Sequence, residues 1–122
     1  MKQHILIVDD EASIRDLLQT YFKKHNYEVS TATNGDEALK KANETEFTIV
    51  VLDVLLGESD GMEVLAAMKA AHPKLPIIIM TGIGFDEELL QEAIQTGASG
   101  FVSKTLPMDQ LLMEVHRTLN YH

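Results

Sequence analysis

Three aspartates stand at the ends of apolar runs. Asp9 and Asp10 directly follow Ile5–Val8, and Asp53 closes the stretch that begins at Phe47. Taken singly, each reads as a helix cap or a solvated loop acid. Gathered in one place they would mean something else: two carboxylates about 5 Å apart at an effective dielectric near 20 repel by roughly 3 kcal/mol, so three pairs approach about 10 kcal/mol and require a cation nearby. Hard cations take oxygen ligands, and Mg²⁺ in particular is held by one or two carboxylates, waters and a phosphate. A trio of acids without histidine or cysteine fits Mg²⁺ better than Zn²⁺. Two further apolar runs finish with Thr81 and, just past Ser103, Lys104, a hydroxyl and an ammonium that both suit phosphate oxygens. Phosphoryl transfer needs an in-line nucleophile, a metal bridging oxygens and donors that neutralise the equatorial charge. A carboxylate nucleophile would form an aspartyl phosphate.

For these residues to meet, the chain has to bring the ends of several strands together. Short β-branched runs predict strands at Ile5–Asp9, Glu28–Ala32, Phe47–Asp53, Ile77–Thr81 and Gly100–Ser103. Between them lie helical stripes. Ile14, Leu17, Leu18, Tyr21 and Phe22 share one face, as do Leu89, Leu90, Ala93 and Ile94, and Leu111, Leu112, Val115 and Leu119. Asn34 with Glu37, and Asp60 with Glu63, resemble capping boxes. Gly97 reads as a helix stop, and Pro107 suits the first turn of the last helix. Five strands alternating with five helices predict an α/β fold: a doubly wound five-stranded parallel sheet, flavodoxin-like, in the common order 2-1-3-4-5. The first and third strands are nearly continuous apolar runs, as strands buried on both faces should be. Ligands in such sheets bind outside the carboxyl ends of the strands at the switch point, here between the first and third strands. Asp9, Asp10 and Asp53 end those two.

Bulk composition narrows the function classes. The 122 residues, 45% hydrophobic, suit one domain over 1–122. With no cysteine there is no disulfide, thiolate metal site or cysteine nucleophile. The net charge of −9 repels phosphate backbones, so direct nucleic-acid binding by this domain is not expected. The run Ile5–Val8 is too short for a signal-peptide core and no stretch reaches transmembrane length, so the expectation is a cytoplasmic protein with no membrane partner. His4, His25, His72, His116 and His122 are scattered without metal-like spacing and read as surface residues.

Four motifs run in order along the chain: VDDE at Val8–Glu11, D-x-x-L-x-x-x-D-G at Asp53–Gly61, MTG at Met80–Gly82 and GASGFVSK at Gly97–Lys104. Together they resemble the response-regulator receiver domains of two-component signal transduction, over essentially the whole chain. The resemblance implies that Asp53 accepts a phosphoryl group from the phosphohistidine of a histidine kinase or phosphotransfer protein. It implies that Asp10 is the principal Mg²⁺ carboxylate, with Asp9 assisting partly through water and the backbone carbonyl of Leu55 as a further ligand. Thr81 and Lys104 would contact the phosphoryl group, and Phe101 occupies the aromatic switch position, for which an ordinary core aromatic is the competing reading. Output would pass through helix four, strand five and helix five, with Phe101, Glu87, Gln91 and Gln95 as contacts, to an effector domain or downstream protein. A phosphorylation-dependent homodimer is compatible with that surface. The protein would be a phosphoacceptor switch that assists its own phosphorylation and dephosphorylation rather than a turnover enzyme. MTG favours a receiver taken from a longer regulator over a stand-alone one.

The chain departs from the family pattern in several places. Thr105 follows Lys104 where the family usually has proline, so a trans Lys104–Thr105 bond is expected, cis costing roughly 2.5–4 kcal/mol before a non-proline residue. Gly57 replaces a usual proline and frees that loop. Leu55 and Ile83 flank the path of hydrolytic water in the family; neither can orient a water, which predicts a long-lived aspartyl phosphate. Two other classes compete. A flavodoxin-like electron carrier needs a Ser/Thr/Gly-rich phosphate loop after the first strand, where Asp9, Asp10 and Glu11 would repel the phosphate. An aspartyl-nucleophile phosphatase needs a second acid two residues after the nucleophile, where Leu55 stands. Gly82-Ile83-Gly84 lacks the lysine and length of a P-loop and reads as a βα loop.

Overall fold

Side chains alternate faces along a strand, and here that alternation divides the core in two. The computed structural model describes residues 3–56, 59–82, 87–104 and 108–120. Its elements follow in the order β1 (His4–Val8), α1 (Ala12–Lys24), β2 (Glu28–Ala32), α2 (Gly35–Glu44), β3 (Ile49–Asp53), β4 (Leu55–Leu56), β5 (Ser59–Asp60), α3 (Gly61–Ala71), β6 (Ile77–Thr81), α4 (Glu87–Thr96), β7 (Gly100–Ser103) and α5 (Met108–Asn120). The main sheet is parallel, in the order β2-β1-β3-β6-β7. Numbering its five strands alone, this is the expected 2-1-3-4-5.

On one side of the sheet Ile5, Ile7, Ile49, Val51, Ile78, Met80 and Val102 pack against Leu18 and Phe22 of α1 and Leu111 and Val115 of α5. On the other, Leu6, Val8, Val50, Leu52, Ile77 and Ile79 meet Ala38 of α2, Leu65 and Met68 of α3 and Ala93 of α4. β1, β3 and β6 are covered on both faces, which explains their unbroken apolar sequences. The expected stripes reach past the core: Leu17 and Ile94 fall on their edges and remain half exposed.

Strand ends differ slightly from the pattern-based boundaries. β1 takes in His4 and releases Asp9, and β3 starts at Ile49 rather than Phe47. Phe47 still serves the core as a buried ring tilted against His4, with centroids 4.5 Å apart. No periodic pattern announces the two-residue ladder β4–β5, in which Leu55 pairs with Asp60 and Leu56 with Ser59.

Helix starts follow the capping logic with one correction. Asn34 Oδ1 accepts from the Glu37 N–H at 2.8 Å, but Glu37 reaches back to the Thr33 N–H at 2.6 Å rather than to Asn34 itself. Asp60 caps α3 by accepting from the Met62 N–H at 2.9 Å, so it bonds the second helical residue and not Glu63. Gly97 ends α4 as expected, at φ 115, with its own N–H and that of Ala98 both donating to the Ala93 carbonyl. Among the described residues no helix is long and apolar enough to cross a membrane.

Candidate functional site

β1 and β3 are direct neighbours in register, Val8 opposite Leu52, so the residues that follow emerge side by side at the carboxyl rim. One carboxylate oxygen from each of Asp9, Asp10 and Asp53 lies within 4.8 Å of one from each of the others. Asp9 and Asp53 are buried, while Asp10 is exposed. Asp9 is fixed from several sides. Its N–H donates to the Ala32 carbonyl at 3.1 Å, its Oδ1 accepts from the Glu11 N–H at 2.9 Å, and its carbonyl accepts from Arg15 Nη1 at 2.7 Å.

The ammonium arrives from the far side of the sheet. β7 pairs with β6 through Thr81 and Ser103, and the next N–H, that of Lys104, donates to the Thr81 carbonyl at 2.7 Å. Lys104 Nζ then sits 2.8 Å from Asp53 Oδ2, 2.9 Å from Asp9 Oδ2 and 3.2 Å from Glu11 Oε1. The contact to Asp53 is a hydrogen bond; the contact to Asp9 Oδ2 is an ion pair, and that buried oxygen has no hydrogen-bond partner. Burial by itself would push the Lys104 ammonium down, but its hydrogen bond to Asp53, its close ion pair with Asp9 and the charges of both carboxylates override this and hold it above the ordinary lysine range.

Three hard carboxylates converging on one spot, with a buried oxygen held by an ion pair but by no hydrogen bond, fit a divalent oxygen-seeking cation. Among the described residues no other group of histidine, cysteine, aspartate or glutamate converges in this way.

Two more of the expected residues, Thr81 and Leu55, fall at or near the same rim. Thr81 is buried at the end of β6. By strand parity it shares the α3–α4 side of the sheet with Ile77 and Ile79, and Phe101, paired with Ile79 and half buried against that same cluster, lies on that side too. Leu55 has its backbone in β4, two residues past Asp53. Glu87, Gln91 and Gln95 are exposed along one face of α4. Gly57, Ile83, Gly84, Thr105, Pro107 and His122 lie outside the described residues, and the Lys104–Thr105 bond with them. Of the histidines, His25 and His116 are exposed; His4 and His72 are half buried and bonded to Ser30 Oγ at 2.8 Å and Asn43 Oδ1 at 2.9 Å. A concavity of about 590 Å³ at the opposite end of the sheet, bordered by Asn43, Glu46, His72 and Lys74, contains none of these site residues.

Two contributors escaped the sequence reading, Glu11 and Arg15. Glu11 belongs to the VDDE motif, but its contact with Lys104 spans 93 positions, which no local pattern encodes. Arg15 lies on the second turn of α1, where an arginine ordinarily reads as a solvated residue.

Comparison with known proteins decides what this arrangement belongs to. The family model for the response regulator receiver domain matches residues 5–116. The chain belongs to that family. Among curated relatives, the receiver domain is 34% identical over 119 residues to the transcriptional regulatory protein SrrA of Staphylococcus aureus, covering 98% of this chain and 48% of that one. It thus spans about half the length of that relative. Among solved structures, chemotaxis protein CheY4 of Vibrio cholerae superposes with a TM-score of 0.93 at 31% identity, covering 98% of this chain and 100% of that one. The receiver domain of NtrX from Brucella abortus gives 0.90 at 36% identity, covering 97% and 99%. The receiver fold, the two-component family and an acidic pocket able to take a metal ion are therefore in place.

Proposed function

We propose that this receiver domain, across 1–122, is a phosphoryl switch in which Asp53 is the acceptor. An oxygen of the Asp53 carboxylate attacks the phosphorus of a phosphohistidine on a histidine kinase or phosphotransfer protein. The P–N bond breaks as the P–O bond forms, and the imidazole leaves with a proton. The observation that carries this reading is the 2.8 Å contact of Lys104 Nζ with Asp53 Oδ2 inside a cluster of three acids. A nucleophile and the cation that would neutralise incoming oxygens already share one pocket. Mg²⁺ held by Asp9, Asp10, Asp53 and the Leu55 carbonyl would supply charge neutralisation on the phosphoryl oxygens.

The chain's own residues do the rest. Arg15 and the Glu11 N–H hold the turn that carries Asp9 and Asp10. Lys104 moves from the Asp53 carboxylate to a phosphoryl oxygen, and the Thr81 hydroxyl donates to another. Because Thr81 and Phe101 share one side of the sheet, an inward shift of Thr81 opens room for the ring to turn, and the surface of α4, β7 and α5 changes with it. That surface, including Glu87, Gln91 and Gln95, would control an effector domain, a downstream protein or a second copy of the chain. A cytoplasmic location follows from this role.

The deciding experiment incubates wild type and Asp53→Asn with acetyl phosphate and Mg²⁺ and reads intact mass. One added phosphoryl group on the wild type alone, lost on chelation, is the expected result. The same gain on both proteins would reject Asp53 as the acceptor.

A further inference from the structure

The Lys104 ammonium has three N–H groups and faces three carboxylates, of which two, Asp9 and Asp53, belong to the acid trio. A divalent cation entering that trio draws on the same two carboxylates and repels the ammonium beside them. Some group has to hold Lys104 aside without removing it from the site. Glu11 is the third carboxylate within reach, at 3.2 Å, and it is not one of the converging trio.

Its setting suits that task. Glu11 is the N-cap residue of α1 but makes no side-chain capping bond, so its carboxylate is not spent on the helix. Its backbone is fixed at both ends: the N–H donates to Asp9 Oδ1, and the carbonyl accepts from the Arg15 N–H at 3.1 Å. The anchor therefore rides on the same turn as Asp9 and Asp10. The Glu11 side chain is 58% exposed against 13% for Lys104, so it keeps its charge hydrated while reaching inward.

We propose that Glu11 is a positioning residue whose carboxylate holds the Lys104 ammonium at the mouth of the acid pocket, so that a divalent cation can take the oxygens of Asp9 and Asp53 without losing the lysine from the site. This rests on the cation reading above. With Glu11 present, Lys104 has a place to go when the cation enters and is still at hand for a phosphoryl oxygen. Without it, the ammonium rests on Asp9 and Asp53 alone and competes with the cation for them.

The test is Mg²⁺ binding by isothermal titration calorimetry, without a phosphoryl donor, so that affinity is read separately from phosphorylation. Glu11→Gln is expected to weaken Mg²⁺ binding about two- to five-fold, the range of an exposed ion pair. Glu11→Asp, which keeps the charge but draws it back by one methylene, is expected to weaken it similarly. In a Lys104→Met background, Glu11→Gln is expected to change nothing, because there is no ammonium to hold. An equal loss with and without Lys104 would mean that Glu11 acts on the cation through space, and would overturn the proposal. So would wild-type affinity in Glu11→Asp, a comparison that stands even if the Lys104 variant fails to fold. If Mg²⁺ binds the wild type and Glu11→Gln equally, this inference fails while the cation site survives. No binding to the wild type would remove both.

Discussion

Asp10→Asn should make the metal-free protein more stable while disabling its response to Mg²⁺. Asp10 has carboxylate neighbours from Asp9 and Asp53 within 4.8 Å, and among the described residues no cation lies within ion-pair distance of it. Lys104 is turned to Asp9, Asp53 and Glu11. At 4.8 Å, each like-charge pair costs about 3.5 kcal/mol at a dielectric of 20 and about 0.9 kcal/mol at that of water. Asp10 is exposed, so the lower figure applies, roughly 1.7 kcal/mol for its two pairs. The ammonium just beyond offsets about half of that, leaving a gain of about 0.5–1 kcal/mol on removing the charge. For a domain of this size that is a rise in Tm of roughly 2–5 °C. Differential scanning calorimetry in EDTA and again in excess Mg²⁺ would read both halves of the prediction. In EDTA the variant melts higher, and the gap narrows in high salt because exposed charges are screened. In Mg²⁺ the order reverses, since the wild type gains stability by binding the ion and the variant gains little. A variant that melts lower than wild type in EDTA, or that rises equally with Mg²⁺, would show that the acid trio is neither mutually repulsive nor the ion's site.

Other outcomes follow from the same geometry. A Cβ at Gly61 would fall against the Val54 carbonyl oxygen and 2.6 Å from that of Asp53, so Gly61→Ala should cost about 1–3 kcal/mol in urea denaturation and slow phosphorylation of the displaced Asp53; unchanged values for both would refute the close approach. Lys104, with a folded pKa raised above its unfolded one, contributes stability that is complete below the unfolded value of about 10.4 and fades only as pH rises through the folded value. It should therefore stay charged from pH 6 to 9 and be among the slowest lysines to be acetylated by acetic anhydride at pH 8, as mapped by mass spectrometry; rapid labelling would contradict the pairing. Leu55→Asn should shorten the lifetime of the aspartyl phosphate, measured as loss of the added mass after the donor is removed, and an unaltered rate would dissociate that position from hydrolysis.

The residues that end β1, β3, β6 and β7 were recognisable because a doubly wound sheet has few ways to connect and its crevice has a known location. Once the apolar runs are placed, Asp9, Asp10, Asp53, Thr81 and Lys104 are forced onto one rim. Boundaries were less legible, since whether His4 or Asp9 belongs to β1 depends on one ladder bond that burial patterns do not report. The cap at Asp60 bonds Met62 rather than Glu63 because the chain enters α3 directly from the short β4–β5 ladder, and a pair of two-residue strands leaves no periodic trace.

What the sequence determined by itself is the set of elements, their order and the side of each strand that every residue takes, because these follow from local periodicity and from the narrow choice of right-handed crossovers. Only the tertiary structure decided how the charges are shared. Lys104 divides itself among Asp53, Asp9 and Glu11, Arg15 turns back to the Asp9 carbonyl, and Asp9 keeps a buried oxygen without a hydrogen bond. These pairings join residues up to 95 positions apart, and their geometry is set by where packed strands and helices bring the backbone, within a few tenths of an ångström that no residue type specifies alone.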